Sequence, residues 1–239
     1  SALNQQTLDY LGFSYGTLLG AMYADEFTDR VGRFVLDGAM DPSLSNTEIA
    51  KGQALGFEVA IQRYIDHCIA EGKCPLGNDP VQAKQKLQAF LDSLDANPLP
   101  TGDANRPLTQ ALAMNAVIYP LYQPDYGWPL LTTALTLGLA GDGSAMLHIV
   151  DTFNERNADG TYEGNGTDAL YAVNCVDRPD RPDLAQTEQV AQQWSTEAPM
   201  FGGKRLRVIR REEHVCADGQ RTSHHGCHLT GLAARNTPS

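Results

Sequence analysis

The 239-residue chain is 42% apolar and 20% charged, with 22 Gly and 13 Pro, proportions that fit a globular protein and exclude collagen-like, low-complexity and disulfide-dense miniature classes. Its formal net charge of −11 opposes a nucleic-acid backbone, so DNA and RNA are not expected partners. The longest apolar stretch, Pro129–Ala140, is about a dozen residues against the roughly 20 a bilayer requires, and no membrane span is expected.

Thr7–Phe13 is a short apolar run and Arg33–Asp37 another. Between them Tyr15–Phe27, rich in Leu, Ala, Met and Tyr and free of Pro, suits a helix packed closely through Gly16, Gly20 and Ala24 at a spacing of four. Strand, helix and strand within about 30 residues make a βαβ unit, and such units build parallel sheets. After Asp41-Pro42 the texture changes. Ser45 or Asn46 with Glu48 marks a helix start, and Phe57, Ile61, Tyr64, Ile65 and Cys68 share one face until Gly72 ends it. Further helices are predicted at about 79–95, 108–119, 128–139, 144–156, 167–176 and 184–195. Three regions follow: 1–44 with the βαβ unit, 45–198 nearly all helical, and a tail over 199–239.

The chemistry concentrates in Gly12-Phe13-Ser14-Tyr15-Gly16. In a G-x-S-x-G elbow a strand turns sharply into a helix, and the serine hydroxyl stands exposed in a strained conformation. The glycines leave room where a Cβ would collide with the neighbouring strand and helix. The pentapeptide alone is a weak signal, and a glycine-rich turn with a solvent-facing serine would produce it too. The entering strand, the departing helix and the second strand are the setting that strengthens it. Ser14 is the candidate nucleophile, and the backbone N–H of Tyr15 is the candidate oxyanion donor. A serine hydroxyl needs an imidazole, oriented by a carboxylate. His67 and His148 fall inside predicted helices as structural or surface residues, so no triad His or Asp is nominated.

The tail is compositionally distinct. Residues 1–203 carry 11 Lys and Arg against 26 Asp and Glu, a net of −15, whereas 204–239 carry 7 against 3, a net of +4, with four of the six His and two of the five Cys. A reading-frame change in a GC-rich coding sequence, a natural basic extension, and a zinc site drawn from His214, Cys216, His224, His225, Cys227 and His228 are the three readings. His224 and His228 stand at a His-x-x-x-His spacing, but no Cys-x-x-Cys accompanies them, and no metal is assigned. Without apolar periodicity the tail is expected to be disordered after about residue 204. Cys68 and Cys74 flank a Gly-containing bend; on spacing alone they are a disulfide or two unpaired small hydrophobes. Tyr119, Tyr122, Tyr126 and Trp128 form either a site entrance or an ordinary core cluster.

Leu8–Ala24 together with Arg30–Pro42 closely resembles the secreted α/β-hydrolases related to tripeptidyl aminopeptidase and proline iminopeptidase, and Cys74-Pro-Leu-Gly77 and Ala172-Val-Asn-Cys-Val-Asp177 are similar to further stretches of that family. The resemblance runs from about residue 5 to 202. It implies a partial α/β-hydrolase fold with a large helical cap over 45–198, and a serine exopeptidase that cleaves near a free peptide N-terminus through an acyl-enzyme on Ser14, without a cofactor. Its substrate would be a peptide or a small ester or amide. The rival is a non-catalytic helical interaction module that keeps the elbow. Secretion or residence in the cell envelope is implied too, although Ser1-Ala-Leu-Asn-Gln-Gln does not read as a signal peptide, and with it a Cys68–Cys74 disulfide. Asp177 becomes the candidate carboxylate for the substrate's α-amino group, against the plainer reading of a solvated helix-end charge. The family's strands before the elbow, its HGGPG-like oxyanion loop and its triad Asp and His loops are not recognisable here. The chain alone is therefore expected to be inactive on peptides, with Ser14 relaxed into an ordinary turn.

Overall fold

The computed structural model describes residues 4–178 and 183–203 and divides into two compact units, with the boundary between Ile49 and Ala50. The zinc candidates and the expected disorder after 204 lie outside the described residues.

In the first unit, β1 (Leu8–Phe13) leads into α1 (Tyr15–Glu26), a 3-10 turn at Thr28–Arg30 and β2 (Val31–Asp37). The strands pair in parallel, with Tyr10, Leu11, Gly12 and Phe13 opposite Phe34, Val35, Leu36 and Asp37. The register slips between Leu8 and Tyr10. There the Arg33 N–H donates to Asp9 Oδ1 at 2.8 Å, so a side-chain carboxylate takes the place of a ladder carbonyl. The helix lies against the sheet through its glycines, as their spacing predicts. A Cβ on Gly20 would stand 2.7 Å from Leu36 Cδ2 and 2.8 Å from Tyr10 Cε1. The Tyr10 hydroxyl beneath the helix donates to the Gly16 carbonyl at 2.7 Å.

α2 (Asn46–Ala70) starts at a capping box, in which the Ser45 N–H donates to Glu48 Oε2 at 2.8 Å and the Glu48 N–H to Ser45 Oγ at 3.2 Å. It ends where Gly72 takes a φ of +66°. The rest of the second unit is α3 (Pro80–Ala96), α4 (Gln110–Leu121), α5 (Pro124–Leu139), α6 (Ser144–Phe153), α7 (Gly166–Asp177) and α8 (Leu184–Glu197). Ile61, Tyr64 and Ile65 of α2 are fully buried with Leu87 and Leu91 of α3, Val117 of α4, Leu131 and Leu135 of α5 and Met146 of α6. Periodicity located all these helices but misplaced some ends. α5 begins four residues before 128 because Pro124 occupies its first turn, where the missing N–H costs nothing. α6 stops at Phe153 rather than 156, since Glu155 adopts a φ of +54° that no helix continues.

Two polar struts brace the helices. Arg106 grips Asp151 of α6 with both terminal nitrogens, at 2.7 and 2.6 Å. Glu58 of α2 is buried; Oε1 accepts the backbone N–H groups of Met200 and Phe201 at 2.5 and 3.0 Å, while Oε2 pairs with Lys84 at 2.7 Å. Met200 and Phe201, which the three-region division assigns to the 199–239 tail, pack in the helical core.

Candidate active site

At the end of β1 the chain reverses into α1 through Ser14, whose φ of +48° and ψ of −117° no unstrained serine adopts. Such a conformation costs about 1–3 kcal/mol and persists only where its surroundings over-determine it. Ser14 N–H donates to the Asp37 carbonyl at the end of β2 at 3.0 Å. The Ser14 carbonyl accepts both the Thr17 N–H at 2.9 Å and the Thr17 hydroxyl at 2.6 Å. Gly12 and Gly16 leave no slack, because a Cβ on Gly12 would lie 2.6 Å from the Gly16 carbonyl oxygen. The expected relaxation of Ser14 is therefore corrected: the strained turn is present, and among the described residues Gly12, Gly16, Thr17 and Asp37 make the contacts named above.

Ser14 is exposed, and its side chain makes no capping hydrogen bond to the helix it precedes. An N-cap serine ordinarily turns its oxygen onto the N2 or N3 amide. Here the positive φ aims it elsewhere, while Tyr15 occupies the first position of α1, where backbone N–H groups face away from the helix body. The turn accordingly offers a hydroxyl beside a helix N-terminus, the combination an acyl-transfer nucleophile and its oxyanion require. The histidine of a triad is not in this unit, since residues 1–49 contain none.

His67 on α2 and His148 on α6 are exposed, with the His67 ring 5.0 Å from that of Trp128. Asp177 is exposed at the last position of α7. All three belong to the helical unit. The aromatic group divides: Tyr119 stacks on Phe153 at 3.6 Å and Trp128 packs on the core, while Tyr122 and Tyr126 are 59% and 67% exposed. Cys68 and Cys74 are joined in a disulfide with Cα atoms 4.6 Å apart. Among the described residues no group of three His, Cys, Asp or Glu is placed to hold a metal, and no helix is long and apolar enough to cross a membrane.

Three residues at the elbow escape a reading of the motif: Tyr10, Thr17 and Met40. Thr17 has a local signal, because a hydroxyl three residues into a helix can bond back to the i−3 carbonyl. Met40 has none, since its N–H reaches Thr17 Oγ1 at 2.9 Å across 23 residues of chain.

A family model described as the α/β-hydrolase fold matches residues 1–129. Among curated proteins, the serine protease Hip1 of Mycobacterium tuberculosis is 37% identical over 186 residues, covering 75% of this chain and 35% of the relative. Carboxylesterase B of the same organism is 39% identical over 163 residues, covering 67% and 31%. Tripeptidyl aminopeptidase of Streptomyces lividans is 27% identical over 180 residues, covering 74% and 32%. The chain spans about a third of the length of these relatives.

Proposed function

The chain belongs to the α/β-hydrolase family, and from that premise we propose that it is a serine hydrolase in which Ser14 is the nucleophile and the Tyr15 N–H an oxyanion donor. The observation that carries the proposal is the strained, exposed, uncapped Ser14 at the head of α1. In the reaction, Ser14 Oγ attacks the acyl carbon while its proton passes to an imidazole supplied from outside residues 1–49. The carbonyl oxygen becomes an oxyanion against the Tyr15 N–H, and collapse of the tetrahedral species expels the amine or alcohol. Water then releases the acyl group from Ser14.

The names of the relatives point to peptide, amide or ester bonds as the class cleaved. Within that class we assign peptides with a free N-terminus, a reading supported by the acidic balance of residues 1–203; Asp177 is the carboxylate nominated to meet the α-amino group. The Cys68–Cys74 bond supports an exported location, since disulfides persist in oxidising compartments.

The test is a fluorophosphonate probe with peptide mapping. A preorganised oxyanion donor alone retains part of the acceleration of a complete site, so Ser14 is expected to react faster than Ser43, Ser45, Ser93, Ser144 or Ser195, and Ser14→Ala to abolish the adduct. Steady peptide turnover by this chain is expected to be undetectable. Labelling that does not favour Ser14 overturns the proposal and leaves the helical interaction module standing.

A further inference from the structure

Thr17 is 1% exposed, and a valine would fill its place equally well by volume. What the hydroxyl adds is a hydrogen-bond chain. An amide N–H can only donate, so the Met40 N–H, 2.9 Å from Thr17 Oγ1, occupies a lone pair of that oxygen. The hydroxyl proton is thereby directed to the Ser14 carbonyl at 2.6 Å. That carbonyl and the Tyr15 N–H belong to one planar peptide group. Hydrogen bonds received by a carbonyl draw electron density toward its oxygen and leave the N–H across the same peptide a stronger donor, with chains of bonds reinforcing one another by about 10–30% per link. The second bond on the same carbonyl, from the Thr17 N–H at 2.9 Å, fixes the tilt of the peptide plane.

We propose that Thr17 is a positioning residue for the oxyanion hole: its buried hydroxyl, held by the Met40 N–H, polarises and orients the Ser14–Tyr15 peptide so that the Tyr15 N–H meets the charge that develops on the substrate. The proposal rests on the reading of Ser14 as nucleophile. It also gives the loop after β2 a role, because Gly38, with a φ of +71°, turns the chain so that Met40 returns to α1.

The test follows phosphonylation of Ser14 by a fluorophosphonate in the 239-residue chain, with Thr17→Val and Thr17→Ser as variants. In that step the Ser14 Oγ–P bond forms, the P–F bond breaks, fluoride leaves and the hydroxyl proton passes to solvent, while the phosphoryl oxygen takes the place of the oxyanion. Deleting a whole oxyanion donor costs about 10²–10³ in rate; weakening one is expected to slow the limiting rate constant in Thr17→Val roughly three- to tenfold. The half-saturating probe concentration and the final labelled fraction stay at their wild-type values. Thr17→Ser, which keeps the hydroxyl, is expected to react at the wild-type rate. Three results would overturn the inference alone: Thr17→Val reacting as fast as wild type, Thr17→Ser reacting as slowly as Thr17→Val, or a reduced labelled fraction at an unchanged rate, which marks a folding defect. A wild-type chain that fails to label selectively at Ser14 overturns the nucleophile assignment and this inference with it, and shows itself before any substitution is made.

Discussion

The elbow unit and the helical unit are ordered by different forces. In the helical unit, side chains from α2 to α6 interlock around Ile61, Leu87, Leu91, Val117, Leu131 and Leu135, all fully buried, and area removed from water at roughly 25 cal/mol per Å² sustains the structure. In the elbow unit Leu11, Phe13 and Val35 are each about 60% exposed. Its order lies in close backbone approach and hydrogen bonding: a parallel ladder, glycines at 12, 20 and 32 where a Cβ would collide, and hydroxyls of Tyr10 and Thr17 on the carbonyls of Gly16 and Ser14. Burial makes a unit tolerant of surface change and sensitive to lost volume. Backbone closure makes it sensitive to a single added methyl group.

The sharpest way to break this contrast is therefore Gly12→Ala. The new Cβ meets backbone atoms of Gly16 at 2.6 and 2.7 Å, and backbone gives way only by opening the turn. Selective labelling of Ser14 is expected to fall by about 10²-fold or more, the scale of a lost oxyanion hole, with the helical circular-dichroism melt unchanged. A melt lowered as much as the labelling would show that the two units share one cooperative structure.

Ile61→Ala tests the other side. It empties a fully buried site on α2 and is expected to destabilise the helical unit by about 2–5 kcal/mol, read by denaturant midpoint, while Ser14 labelling under native conditions is retained. Reduction of Cys68–Cys74 comes next. The bond closes a loop of sequence separation 6, for which the chain-entropy relation gives about 2 kcal/mol. A lower melting temperature under reducing conditions, absent in a Cys68→Ser, Cys74→Ser double variant, checks it.

The smallest effect is expected at Arg33. Its pair with Asp9 is 2.5 Å long, but the two side chains are 90% and 53% exposed, and such pairs contribute little. Arg33→Ala is expected to lower the melting temperature near pH 7 only slightly. The side-chain hydrogen bond from Arg33 holds the Asp9 carboxyl below its ordinary 3.8. A depressed folded-state value means that any contribution is present above about 3.8 and lost as pH falls through the lower one, so wild type and variant should converge in acid. A gap that widens in acid would contradict this sign.

Much of the molecule was legible in the order of residues, because the relevant forces are local. Gly12, Ser14 and Gly16 announced the elbow; Ser45 with Glu48 and the glycine at 72 marked the ends of α2, since caps are settled within one turn of chain. The 3.6-residue period of Phe57, Ile61, Tyr64, Ile65 and Cys68 named the buried face of α2 because a helix can hide only one stripe at a time. Spacing left the pairing of Cys68 with Cys74 undecided until the resemblance, and then the bend that brings their Cα atoms to 4.6 Å, chose it.

Tertiary structure alone decided what depends on distant chain. That Ser14 keeps its strain followed from the Asp37 carbonyl and the Met40 N–H, 23 and 26 residues further on, closing over the turn. That Glu58 is a buried anchor rather than one more surface carboxylate followed from Met200 and Phe201, more than 140 residues away, presenting two amides to it. Sequence pattern specifies which face of an element is apolar and where the element stops. Which polar group meets which across the fold is set by the packing of those faces, and both the tension at Ser14 and the seat of Glu58 arise there.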